Sequence, residues 1–152
     1  MTSAHFMDLD RDENVPRLDL HMEVPVPELP ESELLEPWLL RIVRQEGRTL
    51  QRVLYHFMND AQLLQLNQQF LNHNTYTDII TFPYGQDPVE AEIFISIERV
   101  RANAQSFAVP VHEELLRVMA HGILHICGWD DHSDLGQRLM RQRENACMSL
   151  FG

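Results

Sequence analysis

The sequence has 152 residues, of which 44% are hydrophobic, with 12 basic against 23 acidic side chains and a formal net charge of −11. That length suits one domain with a real core, and the acid excess excludes binding to nucleic acid through a broad cationic surface, so any such contact must be local. No apolar run approaches the roughly 18 residues needed to cross a bilayer, and the start MTSAHFMDLDRDEN lacks the apolar stretch of a secretory signal; the expectation is a cytoplasmic chain with no membrane partner.

Residues 1–16 are polar, charged and without period, and read as a flexible leader before a single metallohydrolase domain over 17–152. Arg17 to Val24 alternates apolar and polar residues (Leu18, Leu20, Met22, Val24) as a half-buried strand does, and Pro25, Pro27 and Pro30 close it. Ser32 is the expected N-cap of a helix carrying Leu34, Leu35, Trp38, Leu39, Ile42 and Val43, which Gly47 stops. Thr49 to Met58 reads as a second strand, after which Asn59 and Asp60 cap a helix with Leu63, Leu64, Leu66, Asn67 and Phe70. Thr77 to Tyr84 and Glu90 to Ile97 are β-branched and aromatic enough to be strands, and helices follow from about Val100. The predicted class is α+β (α/β-like), with a single mixed β-sheet of about four strands packed with helices. Cys127 and Cys147 fall inside helical patterns and are expected to be reduced thiols.

The chemistry concentrates in LLRVMAHGILHICGWDDH, residues 115–132. His121 and His125 are four apart in a helical pattern, so both imidazoles project from one face, one turn apart, and two nitrogens can reach one ion. Gly128 can end the helix in the left-handed conformation and fold the chain back. That brings Asp131 near the place a third ligand must occupy, with His132 beside it as a competitor. The spacing H-x-x-x-H-x-x-G-x-x-[D/H] therefore predicts a metal-bearing helix in the C-terminal half. Gly122 follows His121, so the general-base Glu of the H-E-x-x-H metallopeptidases is absent. What remains is a metal that polarises an ester or phosphoryl oxygen or acidifies water, chemistry suited to phosphodiester hydrolysis.

HGILHICGWDDH resembles the H-G-x-L-H-L-x-G-Y-D-H signature of the YbeY family of endoribonucleases, the ribosomal RNA maturation factors. TYTDIITFPY at Thr75 to Tyr84 is similar to that family's T-[DN]-V-L-S-F-P segment, and AEIFIS at Ala91 to Ser96 to its G-D-I-x-I-S strand. The resemblance spans roughly residues 50–148. It implies a zinc-dependent endoribonuclease specific for single strands, acting at the three-prime end of small-subunit ribosomal RNA and in ribosome quality control. Its implied partners are single-stranded RNA, ribosomal RNA and the small ribosomal subunit with its proteins; its implied cofactor is one Zn²⁺, with Ni²⁺ or Mn²⁺ as substitutes. Carried over by position, His121 and His125 match the first two zinc ligands and Gly128 the turn glycine. The register puts Asp131 where the third histidine usually stands, and His132 one step later is its alternative. Leu71 stands where many members carry an arginine; Arg117, one turn before His121, is the candidate to take over that role.

Two other functions fit the same residues: a metallohydrolase of a small ester, amide or phosphate, and a non-enzymatic ribosome-assembly factor with a structural metal. Thr77 and Asp78 either line the cleft or form a turn. Tyr76, Phe82 and Tyr84 are candidates for stacking on bases, with core packing favoured for Phe82, and Trp129 for a lid or a base platform. His112 reads as the exposed start of the metal-bearing helix, His56 and His73 as structural or exposed, and Cys127 as core.

Overall fold

The computed structural model describes residues 15–71 and 77–152. Its elements, in chain order, are β1 (Arg17–Met22), α1 (Ser32–Gln45), β2 (Leu50–Met58), α2 (Asp60–Leu71), β3 (Ile79–Gln86), β4 (Val89–Ser96), α3 (Ile97–Phe107), α4 (Val111–Ile126) and α5 (Asp134–Met148). They form the expected α+β domain around one mixed sheet of order β1-β2-β4-β3, in which β1, β2 and β4 run parallel and β3 pairs antiparallel with β4. Of the expected leader, residues 1–14 lie outside the described residues, as do His73 and Tyr76.

Strand β4 is central and almost wholly buried, because both sheet faces are covered. Ala91, Ile93 and Ile95 face the main core with Val53, Tyr55 and Phe57 of β2, against Leu35, Trp38, Leu39 and Ile42 of α1 and the apolar residues of α4. On the opposite face Phe94 joins Met58, Leu63 and Ile80 in a smaller cluster under α2. The buried polar tips are satisfied: the Trp38 indole donates to the Cys147 carbonyl at 2.8 Å and the Tyr55 hydroxyl to the Met119 carbonyl at 2.9 Å. These bonds pin α1 and β2 to α5 and α4.

Several boundaries differ from expectation, each for a local reason. Ser32 is the first residue of α1; Glu31 occupies the N-cap and makes no side-chain capping bond. Asn59 does cap α2, in a reciprocal box where its Oδ1 accepts from Gln62 N and Gln62 Oε1 accepts from Asn59 N. The last helical block begins at Ile97 rather than near Val100, because Ser96 ends β4 and its Oγ accepts from Arg99 N. β1 stops at Met22, short of Val24, and β3 begins at Ile79 and runs to Gln86.

Candidate metal centre

Helix α4 is the core helix: Leu115, Leu116, Val118, Met119, Ala120, Ile123, Leu124 and Ile126 are all buried. The stripe Glu114, Arg117, His121 and His125, at near-integral turns, runs along a cleft, with Val118 beside it. Gly122, beside His121, lies against the sheet. A Cβ there would sit 2.9 Å from Ile79 Cδ1 and 3.2 Å from two Ile93 carbons. α4 thus packs closely on β3 and β4 here, and any side chain at this position, the metallopeptidase glutamate included, would have to displace Ile79 and Ile93 side-chain atoms.

α4 ends as the glycine predicted. Gly128 adopts φ +101°, its N–H donates to the His125 carbonyl at 3.0 Å, and Trp129 N–H donates to the Leu124 carbonyl at 3.0 Å. The reversed chain delivers Asp131 to the two imidazoles. His121 Nε2 is 3.6 Å from Asp131 Oδ2, His125 Nε2 is 3.7 Å from Asp131 Oδ1, and the three donor atoms all lie within 4.8 Å of one another. Donors about 2.0–2.2 Å from one tetrahedral ion stand roughly 3.3–3.6 Å apart, so the group would draw together by up to about 1 Å to hold such an ion. His132 is exposed and outside this group, its N–H donating to Asp130 Oδ1 at 3.3 Å.

The second nitrogen of His121 has its own partner, Glu144 of α5, with Oε2 2.6 Å from Nδ1. Burial opposes protonation of His121, but the hydrogen bond and charge of Glu144, with Asp131 and Asp78, outweigh it and raise its pKa. For His125, burial and the neighbouring His121 lower the pKa. Glu144 also receives Arg117, whose Nη1 lies 3.4 Å from Oε1 and 3.0 Å from Asn145 Oδ1. Arg117 therefore faces the cleft one turn before His121 while bracing the carboxylate that braces His121. Such outer carboxylates fix ring tautomer and orientation.

The turn carrying Asp131 is clamped from elsewhere in the chain. Glu46, after α1, accepts from the Trp129 indole at 2.6 Å and from Arg143 of α5, whose guanidinium carbon lies 5.1 Å from the Trp129 ring centroid. Arg48 Nη2 donates to the Cys127 carbonyl at 2.9 Å. Trp129 is thereby a wedge in this clamp. Cys127 is core as expected, its thiol pushed up to about 11 by burial. Phe82 packs on the smaller core cluster, and Tyr84 donates to Glu92 at 2.8 Å on the sheet. His112 is exposed at the start of α4, and His56 is buried, 2.8 Å from Glu92.

A cleft of about 290 Å³ opens beside His121, between α4, α5, the end of α3 and Asp78. A second opens beside His125, lined by Asn67, Leu71, Thr77, Ile79, Ile80 and Thr81. Leu71 brings no charge to the second cleft, where Thr77 Oγ1 donates to the Ile79 carbonyl at 3.4 Å. Sequence reasoning left Asp78 undecided and missed Glu144 and Glu114 as cleft residues. Glu144 is 23 positions from His121 in a helix rich in charged residues, and only the packing of α5 on α4 reveals it.

Fold and site together define an α+β protein with a three-donor, two-histidine centre at the meeting of two clefts. The family described as Endoribonuclease YbeY matches residues 25–152. The chain belongs to this YbeY family. It is 47% identical over 115 residues to a Flavobacterium psychrophilum protein named Endoribonuclease YbeY, covering 75% of this chain and 82% of that one. It is 37% identical over 128 residues to a protein of the same name from Bacteroides thetaiotaomicron, covering 84% and 93%. Among solved structures, the solution structure of TM1509 from Thermotoga maritima is similar, with TM-score 0.58, 30% identity and coverage of 86% and 87%. Among the described residues, no helix is long and apolar enough to cross a membrane.

Proposed function

We propose that this chain is an endoribonuclease that cuts single-stranded RNA during ribosomal RNA maturation, at the three-prime end of the small-subunit RNA, and in ribosome quality control in the cytoplasm. The observation that carries the reading is the convergence of both Nε2 atoms on the Asp131 carboxylate, at 3.6 and 3.7 Å, in a chain of the YbeY family. In this reading His121, His125 and Asp131 hold one zinc ion, three protein donors being the number a catalytic zinc site uses, and His132 is not a ligand. Nickel or manganese can substitute according to supply. The ion supplies Lewis-acid polarisation of a phosphoryl oxygen and acidification of water.

The chain's own residues do the rest. Glu144 holds His121 in the tautomer that turns Nε2 toward Asp131. Arg117 brings a fixed positive charge to the cleft within one turn of His121, which suits a phosphate and offsets the missing charge at Leu71. Gly122 and the buried face of α4 keep the helix rigid against the sheet.

The test is cleavage of a single-stranded ribosomal RNA fragment by protein purified without chelators, with metal content measured by mass spectrometry. About one ion per chain and cleavage lost on chelation or in His121→Ala are expected. Intact RNA in the presence of a full complement of metal would overturn the proposal. A ligand mutant that loses cleavage but still restores ribosome maturation would point instead to an assembly factor with a structural metal.

A further inference from the structure

Glu114 lies on the cleft stripe of α4, seven residues before His121, about 10 Å along the helix axis. It is 4% exposed, lines the cleft, and accepts no hydrogen bond among the described residues. Its ion pair with Arg117, a neighbour on the same helix, is 3.9 Å long. Its oxygens open to the cleft rather than being sealed in the core, and a carboxylate there with no hydrogen-bond donor from the described residues is free to accept from a ligand. Burial raises its pKa, and that of Asp78 across the cleft, whose Oδ2 accepts from the Asn103 amide at 3.5 Å.

The surrounding wall says what enters. Asp78 and Glu114 put acceptors for hydrogen-bond donors in the wall, while Arg117 and Arg141 supply its positive charge. Phe107, 55% exposed, puts an aromatic ring at the rim, and Asn103 adds an amide. At about 290 Å³ the space is near the lower limit of small-molecule sites, roughly 300–1,000 Å³, and suits one base rather than a strand. The next groove, which shares Gln137 and Arg141 with the cleft, adds Arg138, so cations for the neighbouring phosphates continue from the cleft into this groove.

Guanine alone among the four bases presents two adjacent donors, N1–H and N2–H, on its Watson–Crick edge, a pair that one carboxylate accepts at once. We propose that the cleft beside His121 is a subsite for a guanine base next to the phosphodiester that is cut, with Glu114 accepting from N1–H and N2–H and Phe107 stacking on the ring. This rests on the endoribonuclease reading. The roughly 10 Å from His121 sets Glu114 apart from the reacting phosphate and within reach of the adjoining base, so it reads sequence and transfers no proton.

The experiment uses the full, metal-loaded chain on single-stranded oligonucleotides of one length with a single guanosine, inosine, adenosine, cytidine or uridine at a fixed position. Cuts abutting guanosine should be favoured roughly 5- to 100-fold over the others, the discrimination of a bidentate pair. Inosine, which keeps N1–H and lacks the N2 amino group, should lose most of that preference, and so should E114Q on guanosine. In parallel, guanosine titrated into metal-free protein should bind more tightly than inosine or adenosine, with F107A weakening all three alike. Equal cutting at every base, or a guanosine preference that survives in E114Q, overturns the subsite and leaves the nuclease reading standing. No cutting of any oligonucleotide sinks the nuclease reading itself, and the titration then decides the subsite alone.

Discussion

His121 Nδ1 and Glu144 Oε2 stand 2.6 Å apart across the α4–α5 interface, while Nε2 of the same ring faces Asp131 at 3.6 Å. One end of the imidazole is thus fixed by the last helix, and the other is offered to an ion. Glu144→Gln should weaken zinc binding by about 10- to 100-fold, the usual effect of losing a carboxylate behind a ligating histidine. Competition with a chromogenic chelator measures this. An unchanged affinity would mean that packing alone orients the ring.

Gly122→Glu would restore the H-E-x-x-H spelling, yet a side chain at this position must push aside Ile79 and Ile93, whose side-chain carbons lie 2.9 and 3.2 Å from a Cβ. The substitution should cost about 3 kcal/mol or more through overpacking and burial of a charge, and confer no peptidase activity. Urea unfolding checks the first part; a folded variant of wild-type stability would show that α4 can retreat from the sheet.

Ala108 sits at φ 55° just after α3, where Val109 N–H donates to the Ala104 carbonyl and Ala108 N–H to Gln105. A left-handed residue with a Cβ costs about 1–2 kcal/mol, partly offset by glycine's larger entropy in the unfolded chain. Ala108→Gly should therefore stabilise the fold by about 0.5–1 kcal/mol in denaturant titrations. A loss of stability would show that the turn is not strained.

Glu114→Gln should melt at higher temperature than the parent at pH 7, with the gap closing toward pH 4. Burial, only partly offset by Arg117 and Arg141, raises the Glu114 pKa above its ordinary 4.5, so the folded chain holds this proton more tightly than the unfolded one. The corresponding stability is complete below about 4.5 and is lost as pH rises through the folded value. Glutamine, which does not titrate, escapes that loss. Calorimetry from pH 4 to 8 reads it, and a gap independent of pH would place the cause elsewhere.

The fold was legible where signals are local. Alternation gave β1, β-branched and aromatic content gave β3 and β4, helical spacing gave α1 and α4, and Gly47 and Gly128 mark helix ends because both take the left-handed conformation there. Two of the three centre residues share one helix, and the third follows just past its end, so His121, His125 and Asp131 stood out together. The rest was hidden by distance. Glu144 and Arg143 look like solvated charges in a polar helix, and Glu46 resembles any acid near a helix end, until α1, α4 and α5 are packed together. Ser32 misled because Ser is a common cap, yet here Glu31 holds the N-cap position after Pro30.

The clamp of Glu46, Trp129 and Arg143 joins residues from the first and last helical regions to the turn that bears Asp131. A polypeptide ending before residue 143 has both histidines but neither Arg143 nor Glu144 to set them. On the proposed metal reading, uptake of the ion should therefore tighten only after the last helix has docked, because Glu144 reaches His121 through that packing.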